Sequence, residues 1–315
     1  MHPAFSVIFF TTLSGAGYGL MAWIGAIAFY HYADGSPIEP MRVFALAMLA
    51  ALILVSVGLL SSTLHLGKPL RAWRAFSQWR TSWLSREGVM AVVAYLPAFG
   101  LLLGVVRKSG AAMPMLLSAA VVVCALLTVI CTAMIYASLK PIPAWRHWLV
   151  VPGYLAFALL SGAALLAALP GAAAAGRSAM TAVVLLAPLT AVLKLVYWRA
   201  IDRAPLPVTR GEAVGLPDRE LSVFERPHTE ENYLTREMGY VLARKHARKL
   251  RLIALALFAL LPVAGMFGAG LMQVTGSPGT AAIVTALSAL SVFLGAVVER
   301  WLFFAQAKHL VTLYY

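Results

Sequence analysis

Eight apolar stretches, each roughly 20 residues or longer, recur along the chain, at about 4–31, 42–65, 88–106, 111–138, 148–169, 179–200, 250–273 and 280–305. As a helix, a run of that length matches the hydrocarbon thickness of a bilayer. Helix is the form such a run takes, because a segment in lipid must satisfy its own backbone hydrogen bonds. The chain is 61% hydrophobic and 12% charged, more apolar surface than a soluble domain of 315 residues could cover. The expected fold is an all-α integral membrane protein. It is a single transmembrane domain over residues 1–315, with eight helices and long polar connections at 66–87 and 201–249. The opening Met1-His2-Pro3-Ala4-Phe5 has no basic n-region and no twin arginine. The apolar run that follows is longer than a signal h-region, so it is expected as a retained first helix.

The basic residues are clustered in loops. Lys68, Arg71, Arg74, Arg80 and Arg86 lie between runs two and three, and Lys140 and Arg146 between four and five. Arg203, Arg210, Arg219, Arg226, Arg236, Arg244, Lys245, Arg248 and Lys249 lie between six and seven, all on the side that holds both termini. The opposite side has Arg42, Arg107, Lys108 and Arg177. By the positive-inside rule both termini are expected in the cytoplasm. The same rule accounts for the net charge of +13 without a nucleic-acid partner.

Cys124 and Cys131 lie seven apart in one apolar run, on one helical face. Iron–sulfur clusters and structural zinc sites need about four ligands, so no metal centre is expected in this chain. The seven histidines stand at 2, 31, 65, 147, 228, 246 and 309, none at the middle of a run. A haem b with axial histidines is possible near one face and is not favoured. A reduced-minus-oxidised spectrum distinguishes it.

Ionisable groups within spans are costly and are functional candidates by default. Here they are His65, Glu87, Lys194, Glu299 and Arg300, and all fall near the same face. That distribution argues against a conduit through the midplane, and against a solute transporter, which is kept as an alternative. It suits a shallow site for a quinone head. Two carbonyl oxygens there need hydrogen-bond partners, and reduction takes up protons that a histidine and a carboxyl can relay. Each residue also has a plainer role. His65 could bond a backbone carbonyl at the interface. Glu87 could serve the first turn of span three with Ser85 as N-cap. Lys194 could snorkel to water, and Glu299 and Arg300, adjacent and so on different faces, could each pair with another helix.

The long connections carry more pattern. Trp73, Trp79 and Trp83 interleave with arginines, as on a helix lying at the headgroup level. The segment from about 200 to 249 is polar and proline-bearing, with a basic helix-like stem, and suits a docking surface.

The stretch Ser61-Ser62-Thr63-Leu64-His65-Leu66-Gly67-Lys68-Pro69, then Ala72-Trp73-Arg74-Ala75-Phe76, then Trp79-Arg80-Thr81-Ser82-Trp83-Leu84-Ser85-Arg86-Glu87-Gly88, resembles the membrane anchor subunit of dimethyl sulfoxide reductase, the DmsC family. The resemblance implies an eight-helix quinone-reactive anchor without clusters of its own. Such an anchor holds a four-cluster iron–sulfur subunit and a molybdopterin catalytic subunit against the membrane and exchanges electrons with ubiquinone or menaquinone. It implies that His65 and Glu87 belong to the quinone site; Trp73, Arg74 and Trp83, close to them in sequence, are added as candidate quinone-binding residues, and Lys194, Glu299 and Arg300 as accessory candidates. Arg71, Arg80, Arg86, Arg244 and Lys245 become candidates for subunit docking, and Arg74 is a candidate for either role. The longer loop, with Pro227-His228-Thr229-Glu230-Glu231-Asn232-Tyr233-Leu234, Glu237-Met238-Gly239 and Ala243-Arg244-Lys245-His246-Ala247, is similar to the branch found in cytoplasmic sulfite dehydrogenases. That likeness implies sulfite oxidation with quinone reduction and partners on the cytoplasmic side. A reductase oxidising menaquinol is the competing direction.

Overall fold

The computed structural model describes residues 4–36, 38, 41–107, 112–222, 224–225, 230 and 242–314. Of residues 65, 173, 174 and 242–244 it describes the backbone alone. The motif residues at 227–229 and 231–241 lie outside the described residues, and so do the side chains of His65 and Arg244.

Among the described residues there are eight helices long and apolar enough to cross a membrane, and no strand. They are α1 (Phe5–Asp34), α2 (Met41–Ser62), α3 (Trp83–Val106), α4 (Ala112–Ala137), α5 (Val150–Ala168) and α6 (Ala173–Arg203), followed by α7 and α8. The rod α7 is continuous through Leu242–Leu255, a π turn at Ala256–Leu260, and Leu261–Val274; α8 is Pro278–Ala305. The π turn has a local cause. Pro262 lacks the N–H an α-helix would need there, and Leu261 N–H reaches back to Ala256 O. The Leu257 carbonyl is released and accepts the Ser291 hydroxyl of α8 at 2.7 Å.

Helix α1 is the axis of the bundle and packs against α2, α4, α5 and α8. Close packing needs small residues, because lipid tails compete equally well for large apolar ones. Gly19 of α1 and Gly162 of α5 lie face to face, and a Cβ on either would run into the other helix's backbone. Trp23 Nε1 then donates to Leu159 O at 2.9 Å across the same contact. One buried cluster surrounds α1 among α2 to α5, and a second fills the space among α5 to α8.

Side-chain and backbone hydrogen bonds tie one end of the bundle together. Ser61 of α2 donates to Ser6 O, Trp145 Nε1 donates to Phe303 O, and Leu310 N–H donates to Pro141 O. Arg251 of α7 forks Asp202 of α6 at 2.5 and 2.8 Å and reaches Gln306 at 3.2 Å. This end carries the start of α1 and the end of α8. Four residues of the long loop, Arg210–Ala213, form a turn capped by a Thr209–Glu212 capping box.

Candidate functional site

Between α2 and α3 the chain makes a 3-10 turn, Thr63–His65, and then a 3-10 helix, Pro69–Gln78, with no buried residue. Leu70 is 93% and Trp73 66% exposed, and Phe76 and Trp79 are exposed as well. The guanidiniums of Arg74, Arg80 and Arg86 sit 5.7, 5.6 and 4.2 Å from the ring centroids of Trp73, Trp79 and Trp83. An exposed row of rings and leucine beside stacked arginines is what a segment lying at the lipid–water boundary presents. The segment expected as a helix is helical over Pro69–Gln78, in 3-10 form.

This segment is pinned to the start of α3. Ser85 Oγ donates to Ala75 O and accepts Gln78 N–H at 3.1 Å. Phe76 lies over Gly88. Arg86 Nε donates to Trp79 O at 3.1 Å and its terminal nitrogen to Arg80 O at 2.6 Å. Arg86 thus closes its own loop, whereas Arg71, Arg80 and Lys245 are exposed.

Glu87 does not cap its helix. The N-cap is Ser82, and α3 begins at Trp83, upstream of the start expected from the apolar run at 88. Glu87 therefore projects beyond the first turn into the protein and is 5% exposed. The Thr132 hydroxyl of α4 donates to Glu87 Oε1 and also lies 3.1 Å from Thr128 O. A hydroxyl has one proton. If that proton goes to Thr128 O, Thr132 can accept from a protonated Glu87, so the pair accommodates both states of the carboxyl.

The accessory residues form a second buried group. Lys194 is 4% exposed, and its Nζ lies 2.5 Å from Glu299 Oε1. Lys194 therefore pairs inside the protein rather than snorkelling to water. Glu299 does pair with another helix, as expected from the sequence. Arg300 lies 3.6 Å from the centre of the Tyr154 ring of α5 and, despite its adjacent position, 3.9 Å from Glu299 Oε2. Tyr197 lies under Lys194 at 4.1 Å and donates to Ala144 O at 2.8 Å. Glu87, Thr132, Tyr154, Lys194 and Arg300 all stand within about 14 Å of the helix ends on the basic side, at helical rise.

Sequence reasoning did not find Thr132, Tyr154, Tyr18 or Tyr197. Hydroxyls in membrane helices commonly bond a carbonyl of their own helix, and aromatic residues are ordinary there, so neither draws attention in a sequence.

The model of the DMSO reductase anchor subunit (DmsC) family matches residues 1–306. The chain belongs to the DmsC family. It is also similar to a sulfite dehydrogenase subunit of Allochromatium vinosum, 34% identical over 332 aligned positions that cover 100% of this chain and 99% of the relative. The DmsC assignment and the eight helices make this chain a multi-pass membrane anchor subunit of an oxidoreductase complex rather than a solute carrier.

Proposed function

We propose that this anchor is the quinone-reactive subunit of a molybdopterin oxidoreductase and couples sulfite oxidation to quinone reduction. An iron–sulfur subunit docks on the basic end and delivers electrons to a quinone head held beside His65 and Glu87. The observation that carries the reading is the placement of Glu87. A buried carboxyl with a hydroxyl partner lies just inside an exposed segment of tryptophans and arginines, an arrangement that suits a lipid-borne ring entering from the boundary.

The chain's own residues supply binding and proton transfer. Glu87, bonded to Thr132, can donate to or accept from a quinone oxygen and can change protonation without losing its partner. The pinned 3-10 helix carries Trp73 and Arg74, and Trp83 opens α3 beside Arg86. In the coupled reaction sulfite, water and quinone give sulfate and quinol. The two protons released by sulfite oxidation equal the two taken up with the electrons.

The relative named as part of a sulfite dehydrogenase supports this direction, and the positive-inside pattern supports cytoplasmic docking. The test compares dye-linked with quinone-linked sulfite oxidation in the assembled complex. His65→Ala and Glu87→Gln should leave assembly and the dye-linked rate intact and lower the quinone-linked rate on the order of a hundredfold. Unchanged quinone-linked turnover in both variants contradicts the reading.

A further inference from the structure

Two narrow crevices adjoin inside the bundle, reaching from the residues near the basic end toward Tyr18 and Ser161 deeper in α1 and α5. The first, with a cavity volume of about 20 Å³, is lined by Thr132, Tyr18, Tyr154, Ser161 and Arg300 among others. The second is lined by Tyr154, Arg300, Glu299, Lys194 and Tyr197. Tyr154 and Arg300 belong to both, so the crevices meet at their contact. Beyond Tyr197 lies His147, with ring centroids 5.5 Å apart. His147 and Ala144, whose carbonyl receives the Tyr197 hydroxyl, line an open pocket of about 1210 Å³ at the basic end.

The walls of these crevices are unusual. Buried polar atoms are nearly always hydrogen-bonded, and an exception needs an explanation. Among the described residues six buried side-chain atoms lack a hydrogen-bond partner: the Tyr18 and Tyr154 hydroxyls, Glu299 Oε2 and Arg300 Nε belong to residues lining these crevices, and Arg251 Nε and Gln306 Nε2 to residues lining the open pocket. The crevices have cavity volumes of about 20 and 10 Å³, room for about one water each, and a polar space with unfilled donors and acceptors is where a buried water is stable.

We propose that this file of groups is a lateral proton relay, from the open pocket at His147 through Glu299 and Tyr154 to Thr132 and Glu87. The inference rests on the quinone reading of Glu87 and adds to it the route that refills the carboxyl. A proton from the open pocket is taken up at the Glu299 carboxylate. It then passes through crevice water and the Tyr154 hydroxyl, which accepts one proton and releases another, to Glu87. Glu87 transfers it to a quinone oxygen as electrons arrive from the docked iron–sulfur subunit, two protons with two electrons. Lys194 and Arg300 are positioning residues: one fixes Glu299 Oε1, and the other spans the junction of the two crevices. The relay stays on one side of the bundle, so it moves protons across the helices and not across the membrane.

The experiment uses the assembled complex in native membranes. Glu299→Gln should leave dye-linked sulfite oxidation and the affinity for a quinone-site inhibitor unchanged. It should slow quinone-linked turnover roughly tenfold or more and raise its solvent deuterium isotope effect. Tyr154→Phe keeps the ring under Arg300 and removes only the hydroxyl, so it tests the relay even if Glu299→Gln does not assemble. It should show the same pattern more mildly, with Glu299→Asp recovering much of the rate. Wild-type quinone-linked rate and isotope effect in assembled Tyr154→Phe overturn the relay, as does lost inhibitor affinity in Glu299→Gln. The site reading fails separately, through Glu87→Gln with normal inhibitor binding and turnover.

Discussion

The Lys194 ammonium of α6 lies 2.5 Å from the Glu299 carboxylate of α8, with both side chains withdrawn from lipid and water. A buried pair of this kind is costly to break from one side, because the remaining charge has no solvent. Lys194→Met should therefore destabilise the protein by about 3–5 kcal/mol, and the double change Lys194→Met with Glu299→Leu should recover much of that. Thermal unfolding in detergent measures both. A single variant as stable as the parent contradicts the buried pairing.

Gly19 and Gly162 should tolerate no side chain. Gly19→Leu or Gly162→Leu separates α1 from α5 and should cost about 1–3 kcal/mol or more, because the obstacle is backbone rather than a movable side chain. The expected result is a marked loss of folded protein in membranes, measured by fluorescence-detected size exclusion.

Ser85 holds the interfacial segment through two bonds, one given and one accepted. Ser85→Ala leaves the Ala75 carbonyl and Gln78 N–H without that partner, a loss of about 1–3 kcal/mol. A spin label at Trp73→Cys should become more mobile in this background while α3 remains folded. An unchanged label spectrum contradicts the pinning.

Stability should fall in mild acid through His147. Its Nδ1 accepts the Leu149 N–H at 3.2 Å, and burial followed by the nearby Lys194 charge lowers its pKa from the ordinary 6.5. Below that value the unfolded chain binds a proton the folded one resists, so this contribution is present above pH 6.5 and lost as pH falls below it. His309 is lowered by burial in the same sense and accepts Val311 N–H at 3.0 Å. Unfolding temperatures followed from pH 8 to 5 should decline less steeply in His147→Phe than in the parent, with His309 supplying the rest.

The bundle was largely legible in the sequence, because length and lack of charge dictate a membrane helix almost without regard to tertiary context. The place of Glu87 was legible only in part. Its depth follows from where α3 begins, and that is decided by Ser82 and the pinned 3-10 segment rather than by the apolar run. The Lys194–Glu299 pair was not legible, since its partners stand on separate helices and their meeting depends on how α6 and α8 pack around α5. Counting from helix ends puts both near the same face, which is the one signal that could have joined them.

Photolabelling with an azidoquinone on the purified complex tests the central claim most directly, because it asks where the ring sits without relying on turnover. The account predicts label on peptides covering residues 60–95, competed away by unmodified quinone and sharply reduced in Glu87→Gln. Competable label confined to the opposite end of the bundle, around Arg177 and Gln273, would contradict it.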